Sequence, residues 1–444
     1  MWRRNAFSFV FAAMLASFSI CANAGSDQAL IAIKAARLLD VKSGEIRMQP
    51  VVLIEKGKIR ELGENMPIPT TAQVIDLGDV TLLPGLIDAH THLLQNLSFE
   101  TAAQIRESGS MLQALATMSD AKRALLGAAM AREDLNSGIT TVRDLGNSGF
   151  SADVDLRDAI NAAWVQGPRM VVSTRALAPV GGQFNKSTRE ARELIQREYA
   201  VISGPEEARQ AVRNAVYEGA DVIKVIVDAE ARLLAPDELQ MIVSEAHRMG
   251  LKVAAHAGTE PAAMLAAQAG VDSIEHVYGI SDALLNLMAK KGIAMIPTDF
   301  PAWYYLGKSN DKQILASEQE RYEMFKYVEK MAAERIKKSR AAGVKIVFGS
   351  DSYFQAGNLT RGQSSLLPLR VYAKAGLPSI EVIRSATIYA AELLGLAKQV
   401  GSLEKSKFAD IIAVPGNPLE DPQVLEQAKF VMKGGVVVKP SPLQ

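Results

Sequence analysis

Pro84-Gly85-Leu86-Ile87-Asp88-Ala89-His90-Thr91-His92 is an apolar run that ends on two histidines two positions apart. Successive residues of a strand alternate faces, so His90 and His92 point the same way and can share one metal ion. A second run, Val222-Ile223-Lys224-Val225-Ile226-Val227, carries a lysine in its middle. Burying an unpaired ammonium there costs several kcal/mol, so the residue needs a reason. One reason is a desolvated, neutral amine that reacts with carbon dioxide and offers the two carbamate oxygens to two metals. The other is neutralisation by Asp or Glu. His256 ends a third run (VAAHAG), His276 a fourth (SIEHVYG), and Asp351 closes a fifth (FGSD).

These runs belong to a longer series: 80–88, 139–144, 169–174, 221–227, 252–257, 272–277, 293–298 and 345–351, with amphipathic helices between them. Eight such units predict an α/β fold, a (β/α)8 TIM barrel, whose active site lies where the strands end. The helix signals are local. Pro236-Asp237-Glu238 opens a helix with Leu239, Ile242, Val243 and Ala246 on one face and Gly250 after its end. A doubly wound open sheet is the rival, but no Gly-rich phosphate loop follows any strand. His247 falls outside the strand-end pattern and reads as a surface residue. Residues 25–79 and 399–444 are strand-like, with turns at Lys56-Gly57 and Gly434-Gly435, and predict one small β-sandwich built from both ends around a barrel over 80–398.

The 444 residues carry 49 basic and 49 acidic side chains, and 48% are hydrophobic. That balance excludes a disordered tail and a polybasic nucleic-acid binder. Arg3 and Arg4 precede an apolar run from Ala6 to Ile20, and Ala22-Asn23-Ala24 follows. Residues 1–24 therefore predict a signal peptide cut after Ala24, and an exported protein, periplasmic or secreted, without a stable membrane anchor. Cleavage would remove the single cysteine, Cys21, and with it any disulfide, thiol nucleophile or Cys-based metal site.

With His90, His92, Lys224, His256, His276 and Asp351 falling on strands 1, 4, 5, 6 and 8, the chain resembles the amidohydrolase superfamily in its binuclear form. Gly138-Ile139-Thr140-Thr141-Val142-Arg143-Asp144, Ala409-Asp410-Ile411-Ile412 and Gly416-Asn417-Pro418 extend the likeness. It is most similar to exported Xaa-Pro or Xaa-Arg dipeptidases and imidazolonepropionase-like hydrolases. The resemblance implies two divalent ions, zinc by preference: one on His90, His92 and Asp351, one on His256 and His276, with carboxylated Lys224 and a hydroxide between them. It also implies Asp351 as proton shuttle and a symmetric homo-oligomer. Cleavage of C–N bonds in dipeptides or N-acyl amino acids is the activity expected of a small-molecule hydrolase of this kind. Cyclic amides, imidazolones, lactones or phosphoesters are the alternatives, and a non-catalytic binding protein on the same fold is the third reading. Arg143, Gln183, Tyr278, Tyr353 and Arg361 are the polar candidates for substrate contact, and Trp303, Tyr304 and Tyr305 read as packing for the long helix that follows, with a pocket lining as the alternative. One departure stands out: relatives of the peptidase type carry His after the Gly-Gly that follows strand three, whereas here Gln183 follows Gly181-Gly182.

Overall fold

The computed structural model describes residues 30–95, 117–184, 188–229 and 232–440; the expected signal peptide lies outside them. Two sheets come from the chain ends. One has the order β5-β4-β1-β6, from Lys58–Glu64, Pro50–Glu55, Ile31–Lys34 and Gln73–Asp76. The other contains β2 (Arg37–Asp40), β3 (Glu45–Met48) and β7 (Val80–Pro84) from the first part of the chain. Its remaining strands are β19 (Ile411–Pro415), β20 (Phe430–Lys433) and β21 (Val436–Lys439) from the last. Ile33, Val52 and Ile54 from one sheet share a buried cluster with Leu38, Leu82, Ile411 and Phe430 from the other. Burial of that interface holds the two ends together. The two glycine turns meet: a Cβ at Gly57, where φ is +75°, would lie 2.7 Å from the Gly434 carbonyl oxygen.

The barrel staves are β8 (Leu86–Thr91), β9 (Ile139–Asp144), β10 (Arg169–Val172) continuing into β11 (Ala176–Ala178), β13 (Val222–Ile226), β16 (Lys252–Ala257), β17 (Ser273–His276) and β18 (Ala294–Ile296). All of these neighbours pair in parallel. Residues 345–351 close the ring. Val347 N donates to Met295 O (2.9 Å) on one side, while Ala89 N donates to Phe348 O (3.0 Å) and Asp351 N to His90 O (2.7 Å) on the other. That segment makes its bonds as irregular chain with a single bridge, Met295 to Ile346, rather than as the continuous strand expected. Two short pieces were not anticipated: β12 (Tyr199–Val201) on the edge of β11, and a rim hairpin of β14 (Asp228–Ala229) and β15 (Arg232–Leu233).

Helices wrap the ring, and the apolar sides of staves and helices form the largest core. They include α1 (Asp120–Asn136), α2 (Ala152–Asn161), α3 (Arg192–Glu198), α4 (Pro205–Tyr217) and α5 (Pro236–Arg248). Then come α6 (Glu260–Ala269), α7 (Asp282–Lys291) and the long α8 (Gln319–Ala341). In α5 the buried residues include Leu239, Ile242, Val243 and Ala246, and Glu238 accepts from Ala235 N (2.8 Å) to satisfy the first turn. No helix among the described residues is long and apolar enough to cross a membrane.

The sequence run 80–88 is divided at Gly85. Before it, β7 pairs antiparallel with β19 in the terminal sheet; after it, β8 is a barrel stave. Gly85 N donates to Asp410 O (2.9 Å), while Leu86 N donates to Gly138 O (2.9 Å), so the chain changes sheets in one residue. The crossing is tight: a Cβ at Gly85 would lie 2.1 Å from Thr140 Oγ1 and 2.8 Å from Thr140 Cβ. Gly85→Ala should therefore lower stability by about 1–3 kcal/mol through overpacking, and adding Thr140→Ala should return part of it. Thermal unfolding of the three variants checks this; equal midpoints for wild type and Gly85→Ala would remove the steric account.

Candidate metal centre

Stave parity and register bring the predicted ligands to one end of the barrel. His90 and His92 leave β8 on one face, and His256 and His276 end β16 and β17, whose pairing sets Ala257 beside His276. Asp351 sits between the β8 pair and β17: its Oδ1 lies 3.1 Å from His92 Nε2 and 3.5 Å from His90 Nε2, and its Oδ2 lies 3.9 Å from His276 Nδ1. Donor atoms of His90, His276 and Asp351 all fall within 4.8 Å of one another. His256 stands edge-on to His276, ring centres 4.6 Å apart. The Lys224 amine, buried on β13, acts electrostatically on His90, His256, His276 and Asp351. All six side chains therefore meet.

Hydrogen bonds behind the rings choose which nitrogen faces the site. His90 Nδ1 bonds Glu275 Oε2 (2.7 Å), and His92 Nδ1 bonds Gly146 O (2.9 Å). His276 Nδ1 bonds Thr298 Oγ1 (2.8 Å), whose own proton goes to Pro297 O (2.7 Å). Each bond leaves Nε2 with a free lone pair, the arrangement that orients a metal-binding imidazole. Burial pushes His90 and His276 well below the ordinary imidazole range and His256 down to about 4, with the Lys224 charge adding to the effect on each. Burial thus keeps His90, His256 and His276 neutral at pH 7, as ligands must be.

Burial also lowers the Lys224 amine to about 8. Among the described residues, no carboxylate oxygen lies within 4.0 Å of it. Asp351 is a carboxylate: burial alone would raise its pKa, and His90, His92 and Lys224 outweigh that and pull it below the usual range. The backbone here is strained. Asp351 (φ 53°), His276 (74°), Val277 (51°) and Thr298 (61°) take left-handed conformations at stave ends, and Thr174 (57°) does so between β10 and β11, each costing about 1–3 kcal/mol.

Two expected substrate contacts are corrected by burial. Arg143 is fully enclosed inside the barrel and spends its donors on Ala89 O (2.6 Å), Ser273 Oγ (3.1 Å) and Glu275 Oε1 (2.9 Å). Arg361, which opens the short helix α9 (Arg361–Ser365), is equally enclosed, 3.6 Å from Asp134 of α1, and donates to Ser352 O. Neither guanidinium reaches the rim. The other three do. Tyr353 stacks on His92 (4.6 Å between ring centres) and accepts from Asn147 Nδ2 (2.6 Å). Tyr278 stacks beside His276 (5.7 Å) and is more than half exposed. Gln183 brings its amide nitrogen to 3.3 Å from His256 Nε2 while Oε1 accepts from the Tyr199 hydroxyl (3.0 Å). Trp303 and Tyr304 pack in an apolar cluster, and His247 pairs with Asp272 at the surface, as expected.

Glu275, Thr298 and Asp228 were missed. Asp228 accepts from Gly258 N, Thr259 N and Thr259 Oγ1 and lies 4.0 Å from His256 Nε2. Glu275 lies on the wholly buried stave β17, where an unpaired carboxylate would be as costly as the lysine in β13, but only one of the four residues there is apolar and the sequence gives little sign of that burial.

The amidohydrolase family model matches residues 81–438. Ochratoxinase from Aspergillus niger is 29% identical over an alignment covering 94% of this chain and 88% of its own. Imidazolonepropionase from Geobacillus kaustophilus is 26% identical over 94% and 95%. Among solved structures, a Xaa-Pro dipeptidase with bound methionine in the active site shares 29% identity at a TM-score of 0.76, covering 92% of this chain and 99% of that one. With the closed ring, the terminal sandwich and the gathered donors, these matches identify the chain as a member of the amidohydrolase family.

Proposed function

We propose that this amidohydrolase, a metal-dependent hydrolase of amide bonds, works with two divalent ions, zinc by preference, on dipeptides or N-acyl amino acids. The donor set fits them: four imidazoles, a carboxylate and an unpaired buried amine. His90, His92 and Asp351 would hold one ion and His256 and His276 the other. A carbamate on Lys224 would serve both. The observation that carries this reading is the buried Lys224 amine, near His90, His256 and His276 with no carboxylate oxygen within 4.0 Å among the described residues. A neutral amine attacks carbon dioxide, the N–C bond forms as one C–O π bond opens and one proton leaves, so an anionic oxygen donor replaces the amine. When bound, the ions polarise the scissile carbonyl and lower the pKa of water toward neutrality.

The chain's own residues do the rest. Asp351, a carboxylate beside His90 and His92, takes a proton at a carboxylate oxygen and returns it to the leaving amine nitrogen. Glu275, Gly146 and Thr298 hold three rings in the tautomer that presents Nε2. Tyr278 and Tyr353 wall the mouth beside His276 and His92. An amino acid occupies the active site of the related Xaa-Pro dipeptidase, which supports an amino-acid-like leaving group here. The apolar leader over residues 1–24 supports export, to the periplasm or the medium, after cleavage at Ala24.

Metal analysis coupled to amine release from dipeptides and N-acyl amino acids tests the reading. About two ions per chain with release are expected; two ions with release only from cyclic amides would move it to the imidazolonepropionase side. Lys224→Ala should lose metal and turnover together, with partial return in a short carboxylic acid; unchanged metal content would remove the carbamate. Asp351→Asn should cut kcat by about 10²–10⁴-fold, and near-normal turnover would end its proton role.

The metal-free protein should also be acid-sensitive. His256 takes a proton near 4 when folded and near 6.5 when unfolded, so the unfolded chain binds it first as pH falls. This contribution is present above pH 6.5 and is lost between about 6.5 and 4. Denaturant unfolding of the metal-free form should show that slope, and His256→Gln should flatten it; identical slopes would contradict the assignment.

A further inference from the structure

Two short elements, β12 and the rim hairpin of β14 and β15, meet on one loop, Val180-Gly181-Gly182-Gln183-Phe184. From the hairpin, Arg232 donates to Val180 O (2.6 Å), Phe184 O (2.6 Å) and Ala229 O (3.3 Å), so its donors go to main-chain carbonyls. From β12, Tyr199 is buried in an apolar cluster with Ala176, Ala178, Ile195 and Ile226. Its ring lies against Gly182: a Cβ there would come 2.7 Å from Tyr199 Cγ, and one at Gly181 would overlap Arg232 Nη1. Two residues without side chains let the clamp close on the loop from both sides. Tyr199 is 3% exposed, and its hydroxyl makes one hydrogen bond among the described residues, to Gln183 Oε1 (3.0 Å).

That bond settles which way the Gln183 amide faces. A buried hydroxyl proton needs an acceptor, and the reversed amide would meet Tyr199 with its nitrogen and leave that proton without a partner. With Oε1 turned back to Tyr199, the amide nitrogen faces the centre, 3.3 Å from His256 Nε2. An imidazole nitrogen that serves as a ligand has no lone pair left for this donor, so in the loaded enzyme the amide turns to another acceptor. Arg143 and Arg361 are enclosed and Arg232 is spent on the loop, so the donor beside His256 is a neutral one. Neutral donors suit a carbonyl oxygen, whereas a carboxylate makes its strong bonds to cations. We propose that Tyr199 is a positioning residue: its hydroxyl fixes the Gln183 amide so that the nitrogen donates to a carbonyl oxygen of the substrate beside His256, a role that rests on the amide hydrolysis proposed above.

A double-mutant cycle tests it, with metal content measured alongside for every variant. Gln183→Leu should lower kcat/KM for amine release by about tenfold, and Tyr199→Phe, which removes only the hydroxyl, by about three- to tenfold. The double variant should be no slower than Gln183→Leu, because Tyr199 acts through the amide. Denaturant unfolding of the metal-free protein reads the same pair without turnover: Tyr199→Phe should lower the midpoint in the wild-type background but not in Gln183→Leu. Losses that multiply across the cycle overturn the positioning role, and so does a metal-free midpoint that Tyr199→Phe lowers equally in both backgrounds. An unchanged kcat/KM in Gln183→Leu overturns the substrate contact. A wild type that binds metal yet releases no amine ends the hydrolase reading and this role with it, and the metal-free coupling then still shows whether Tyr199 holds Gln183, which tells the two failures apart.

Discussion

A carboxylate with no exposure to water, Glu275, holds the centre of this barrel together. One oxygen accepts from Arg143 and Ser273, the other from His90. Arg143 in turn bonds the Ala89 carbonyl, so a single ionic cluster ties β8, β9 and β17 across the barrel interior. Buried charges of this kind add little net stability when complete, yet losing one partner costs about 3–5 kcal/mol because the other is stranded. The same carboxylate sets the tautomer of His90, so the reactive end and the packed interior share one residue. Deleting it would therefore confound stability with metal affinity.

The rim depends on that rigidity. Left-handed backbone at Thr174, His276, Val277, Thr298 and Asp351 persists only where the surroundings overdetermine it, and the parallel staves beneath supply that constraint. Thr298 shows the coupling in a single residue: its strained backbone aims the hydroxyl that orients His276.

Much of the ring and all six gathered donors were legible because they obey rules that act over a few residues. Strand alternation aligns His90 with His92, and the cost of a buried ammonium singles out Lys224. What escaped depends on distance. Arg143 stands one residue before the end of its stave, and a charged residue there reads alike whether it faces the rim or the interior; the partner that decides, Glu275, lies 132 positions away. Arg361 is hidden by Asp134 of α1, an equally remote residue. The break at Gly85 is invisible in an unbroken apolar run, since only the approach of Thr140 and the pairing of β7 with β19 reveal that the chain changes sheets.

That last pairing bears on how the molecule is made. β7 is flanked by β2 on one side and β19 on the other, and Gly85 is pinned by the Asp410 carbonyl, so the first stave is anchored by residues more than 300 positions downstream. Contacts of such separation form late, because loop closure must precede them. A growing chain can assemble helices and neighbouring staves as they emerge, but the sandwich stays half built, with the β7 edge open, until residues 411–439 arrive. The last-made segment thus acts as the latch of the whole fold.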